Sequence, residues 1–157
     1  MSRAFAASVL AAALLAGAVP VRADSVPVIA GAVAGVELCP QSLCGVAAFV
    51  GIFQGQVGFR QNAVGLVVVA VQHDPLPEVA GDCAAITEGV WELRVGLRRF
   101  VGAAAGQLCY NGDNTYAVSV TMQFLSGGSG QAFFAGTLDH NVFPPTITGV
   151  IEQTPGP

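Results

Sequence analysis

Two histidines are the side chains of this sequence best suited to move a proton near neutral pH, and each has an aspartate beside it: His73-Asp74 and Asp139-His140. Asp139 and His140 form the candidate catalytic pair, an acid and a base at a strand end, with Asn141 as a polar contact. Neighbouring residues on a strand point to opposite faces, so Asp139 is poorly placed to orient His140. The run Asp139-His140-Asn141 reads better as the start of a turn whose short side chains bond nearby backbone groups. A metal shared by His73 and His140 would need a further ligand and a fold that joins two distant strand ends. No metal site is expected.

Other reactive side chains carry less. Ser129 sits in Gly127-Gly128-Ser129-Gly130, which lacks the Gly-x-Ser-x-Gly elbow of a hydrolase nucleophile. Asp113 and Asn114 offer too few oxygens for calcium. Arg94, Arg98 and Arg99 gather near one turn and could hold an anion, but Glu88 and Glu92 beside them make a solvated, partly paired face. No cofactor motif occurs, and no cofactor is expected. The reading leans away from an enzyme.

The four cysteines, Cys39, Cys44, Cys83 and Cys109, lack the spacing of a zinc site and read as two disulfides. Strand register sets the pairing. If Ala84–Val95 and Arg98–Tyr110 form a hairpin turning near Gly96, Trp91 opposes Val101 and Cys83 opposes Cys109. Both cysteines then share the apolar face of Trp91 and Leu93. Cys39 and Cys44 close a local loop across Pro40-Gln41-Ser42-Leu43.

Disulfides need an oxidising compartment, and the first 23 residues supply a route to one. Arg3 precedes an uncharged apolar run from Ala4 to Ala18, and small residues lead to a cut between Ala23 and Asp24. The expected mature chain, residues 24–157, is one β domain with an ordered core over about 36–153, secreted or periplasmic, with no membrane span. Removing Arg3 and Arg22 leaves four arginines against ten acids, a net charge of −6 with no lysine at all. Such a surface cannot neutralise a row of phosphates, which excludes nucleic acid as a partner.

The elements that must position these residues are strands. Tyr116, Val118, Val120, Met122 and Phe124 alternate with Ala117, Ser119, Thr121 and Gln123. Ser126–Gly130 is a flexible turn; a hairpin centred on Gly128 sets the apolar residues of Gln131–Leu138 on the same face. Asn111-Gly112-Asp113-Asn114 is a further turn signal. The run Leu66–Val71 is apolar on both faces, so its second face is covered by another layer, the N-terminal segment or a partner subunit; in the last case Val67, Val69 and Val71 form the contact with another copy of the chain. Seven strands, or eight with Val26–Val36, predict an all-β domain, a single small antiparallel barrel, with a two-layer sandwich as the alternative. In outline the barrel resembles lipocalin-like and allene-oxide-cyclase-like barrels, an analogy of architecture that carries no motif of either.

With more than half its residues apolar and no assembled catalytic constellation, the chain reads as an exported β protein that binds a small apolar molecule. The expected ligand-binding wall is Trp91, Phe49, Phe53, Phe134 and Met122; Phe133 and Phe143 belong to core or wall. The alternative is a structural or surface-assembly subunit, a homo-oligomer suggested by the low charge. A barrel isomerase or cyclase using Asp139 and His140 is the weakest reading.

Overall fold

The computed structural model describes residues 28–154; the expected leader and its cut between Ala23 and Asp24 lie outside them. The strands are β1 (Ile29–Cys39), β2 (Ala47–Val57), β3 (Arg60–His73), β4 (Cys83–Val95), β5 (Arg98–Tyr110), β6 (Thr115–Ser126), β7 (Gln131–Asp139) and β8 (Thr146–Thr154). One short helix, α1 (Gln41–Cys44), follows β1. Each strand pairs antiparallel with the next, and β8 returns to β1 through pairs such as Gly31 with Ile151. The sheet is therefore a closed eight-stranded barrel, and the sandwich alternative falls. Closure leaves no unpaired edge among these strands. No helix among the described residues is long and apolar enough to cross a membrane.

The barrel has two unlike rims. Tight turns form one: Gly58 joins β2 to β3, Gly96-Leu97 joins β4 to β5, and Gly127–Gly130 joins β6 to β7. The start of β1 and the end of β8 lie at this turn rim. Longer connections form the opposite loop rim: residues 40–46 with α1, 74–82, 111–114 and 140–145.

Alternation of side chains fills the inside. Phe53, Phe100, Ile29, Leu93 and Val57 are all below 2 % exposed and sit toward the turn rim, which they plug. Fully burying each such side chain contributes about 1.5–3 kcal/mol.

Three departures from the expected registers have physical causes. The β4–β5 hairpin pairs Cys83 with Cys109, as expected, but Trp91 with Gly102 instead of Val101. A bulge between Ile86 and Val90 adds one residue to β4, and one extra residue flips the face of everything beyond it. Trp91 and Leu93 therefore point inward, whereas Cys83 is exposed and its disulfide lies on the outer face, opposite to the expected one. Val67 and Val71 are buried inside and Val69 packs against the same core. The outward residues of that apolar run are Leu66, Val68 and Ala70, so the face expected at a contact between copies is the wrong one. The β6–β7 hairpin pairs Met122 with Ala132 and Val120 with Phe134, one position away from a centre on Gly128. Parity is unchanged, and the apolar residues still share the inner face.

Candidate functional site

Between the plug and the loop rim the interior is hollow. A cavity of about 80 Å³ is walled by Phe49, Trp91, Met122 and Phe134 together with valines, Leu108, Leu138 and Ile151. That is several times the ~10–15 Å³ one water requires. Four of the five expected ligand-binding residues thus line one space. Phe53 does not; it is fully buried in the plug beneath. Phe133 and Phe143 face outward and are exposed.

Register explains the wall. Val69 lies between Phe49 and Trp91 on neighbouring strands, so one row of the sheet carries two rings inward. Trp91 fits because Gly102 opposes it: a Cβ there would overlap Trp91 Nε1 and the Gln123 carbonyl oxygen. The indole N–H donates to the Ala103 carbonyl at 3.1 Å, and the ring meets Phe124 edge-on at 5.1 Å between centroids.

The polar end of the cavity contains a residue that sequence reasoning missed. Glu37 shares the inward parity of Ile29 and Val33, lines the cavity, and has a side chain only 5 % exposed. Its carboxylate accepts no hydrogen bond from the described residues. His140 Nε2 stands 3.6 Å from Glu37 Oε2, buried and without a hydrogen-bond partner of its own. Burial pushes the Glu37 carboxyl above its ordinary value, opposed by the charges of His140 and then His73. The signal for Glu37 was available: one acid on the inner parity of an otherwise apolar strand.

Both histidines stand at the loop rim, His73 at the end of β3 and His140 just after β7. His73 lines the cavity and places Nδ1 2.6 Å from the Asp74 carbonyl oxygen. His140 lies outside the lining, with its ring against Tyr116 at 5.2 Å between centroids. Tyr116 in turn packs on Tyr110 at 5.2 Å, and burial raises its phenol above the usual range, with Tyr110 and Glu78 adding to that shift. Asp139 takes the turn role: Oδ1 accepts from the Asn141 N–H at 2.8 Å, and Asn141 Nδ2 donates to the Asp113 carbonyl at 2.9 Å. The partner of His140 is therefore Glu37 on β1, beyond β8, not its neighbour in sequence.

The segment beside the mouth is tied down twice. The Cys39–Cys44 disulfide closes the loop that carries α1. From that loop Gln41 grips the β3 end, its amide donating to the His73 carbonyl at 2.8 Å and its oxygen accepting from the His73 N–H at 2.7 Å. Leu76, from the loop after β3, completes the apolar wall.

The arginine cluster lies elsewhere, near the turn rim. Glu92 bridges Arg99, at 2.8 Å, and Arg94 in an exposed arrangement. Hydrogen bonds from Arg99 first and Arg94 second hold its carboxyl down to about 2. No anion pocket results. No three His, Cys, Asp or Glu side chains converge as metal ligands among the described residues. Set against known protein families, curated proteins and solved structures, the chain matches none.

Proposed function

We propose that this protein is an exported, non-enzymatic barrel that holds a small hydrophobic molecule in its interior, entered at the loop rim. The observation that carries the reading is the preformed apolar cavity of about 80 Å³ above a solid plug, with few polar groups, all at one end. Two disulfides fit an oxidising compartment, secreted or periplasmic, and agree with the leader-like first 23 residues. Against an enzyme stands Asp139, which is spent on a turn and leaves His140 no cavity-facing partner but Glu37.

The test is titration with N-phenyl-1-naphthylamine, an apolar dye that fluoresces when it leaves water. Saturable enhancement is expected, together with a co-purifying small molecule in native mass spectra of protein from its own host. Val118→Trp, which fills the cavity, should weaken dye binding about tenfold or more, a loss of roughly 1.4 kcal/mol. A flat titration on folded protein would remove the reading.

One observation favours a second reading, a surface-assembly subunit. Ile52, Val64, Leu66, Val68 and Val90 form an exposed apolar patch on the outer face of β2–β4. Sedimentation of the wild type and of Val68→Glu separates the two: a multimer that the substitution dissolves supports assembly.

A further inference from the structure

We propose that the molecule taken up at the loop rim is a cationic amphiphile, an apolar body bearing a protonated amine that docks on Glu37 and His73. The inference rests on the interior-binding reading and adds to it the chemistry of the bound head group.

Three observations converge on a cation. First, charge is segregated along the barrel axis. All four arginines of the described residues, Arg60, Arg94, Arg98 and Arg99, lie at the turn-rim ends of β3, β4 and β5. The loop rim carries Glu37, Asp74, Glu78, Asp82, Asp113 and Asp139 with no arginine or lysine among them. A mouth of one sign above low-dielectric walls concentrates ions of the other sign.

Second, Glu37 is a carboxylate turned into the cavity, 5 % exposed and without a hydrogen-bond donor among the described residues. Burying a carboxylate is costly unless donors or a counter-ion compensate it. His140 Nε2, at 3.6 Å, is a counter-ion only when its ring is protonated, and it approaches from outside the cavity lining without a hydrogen bond. The cavity side of the carboxylate is left for a donor that arrives from within.

Third, His73 adds an acceptor. Its Nδ1 lies 2.6 Å from the Asp74 carbonyl oxygen, which can only accept, so Nδ1 carries the proton. In the neutral ring Nε2 then presents a lone pair. Two acceptors, one of them anionic, select a head group by elimination. A carboxylate would meet like charge and no donor. An alcohol brings one donor where two acceptors stand. An alkylammonium brings three donors and the compensating charge.

Displacement of N-phenyl-1-naphthylamine by hexylamine, hexanol and hexanoate, at matched pH and salt, decides it. Hexylamine should displace the dye at a concentration at least tenfold below hexanol, with hexanoate weakest. In Glu37→Gln the amine's advantage over the alcohol should shrink to about threefold or less. Dye binding with hexanol or hexanoate equal to or better than hexylamine overturns the cationic head and leaves the interior-binding reading standing. An undiminished amine preference in Glu37→Gln overturns the role of Glu37. Failure of every probe, dye included, overturns both. The wild-type ranking decides the head group even if the variant does not fold.

Discussion

The two rims are built from the same strands and differ in what those strands carry. At the turn rim, Phe53, Phe100, Ile29, Leu93 and Val57 interlock below tight turns, and the charges outside are arginines bridged by Glu92. At the loop rim the side chains stop short of the barrel axis, the connections lengthen, and the charges are carboxylates with Glu37 drawn inside. Backbone closure is common to both, so closure does not decide whether a small barrel is solid or hollow. The arrangement of the inner-facing side chains decides it: at one depth they interlock, at the other they leave a cavity.

The sharpest way to break this comparison is to remove one ring from each end. Phe53→Ala in the plug should cost about 3–5 kcal/mol in urea unfolding, because a dense site cannot collapse onto the void. Phe49→Ala on the cavity wall should cost about half of that or less, since Phe49 already borders empty space. Equal losses would mean the cavity is packed in solution.

Next come the disulfides. Opening Cys83–Cys109, which spans 26 residues, should cost about 3.5 kcal/mol on the chain-entropy account, against about 2 for Cys39–Cys44, which spans five. Thermal melts of the paired Cys→Ser variants should keep that order. The smaller loss should carry the larger change in dye binding, because the Cys39–Cys44 loop holds Gln41 on the end of β3.

The two glutamates should respond to pH with opposite sign. The Glu37 carboxyl is raised by burial, so its protonated form suits the fold; that advantage is complete below about 4.5 and is lost as pH rises through the higher folded value. Glu37→Gln keeps the neutral form, so its gain in melting temperature over wild type should grow across that window and vanish in acid, moderated by the charges of His140 and His73. Glu92, lowered to about 2, contributes above 4.5 and loses its contribution as pH falls toward 2. Its ion pairs are solvent-exposed, so that contribution is small, and Arg99→Ala should lower the melting temperature only slightly. A large loss there would show that the turn rim depends on charge as well as on packing.

What could be read from the sequence follows the same division. Periodicity made the strands legible, and Cys83 opposite Cys109 followed from the turn at Gly96. The facing of that disulfide was not legible, because the bulge between Ile86 and Val90 carries no mark stronger than Gly89 in an alternating run. Val67, Val69 and Val71 could not be told from Leu66, Val68 and Ala70 while both sets were apolar. Phe49, Trp91, Met122 and Phe134 share the inner parity with Phe53, and sequence does not separate them; plug and wall differ by depth, which strand periodicity does not encode. Glu37 is not legible as the partner of His140 because the sequence sets Asp139 beside His140, whereas the fold supplies the partner from a strand about a hundred residues away.

Barrel closure joins the first strand to the last. Ala30 pairs with Glu152, and the Ile29 N–H donates to the Gln153 side chain at 3.1 Å, so the first and last strands finish side by side at the plugged rim. A chain that continues past β1 or β8 departs from that rim. An immobilised or displayed copy would hold its mouth away from the support, and a short peptide joining the ends would permit the chain to be reopened at a loop-rim connection without unthreading the barrel.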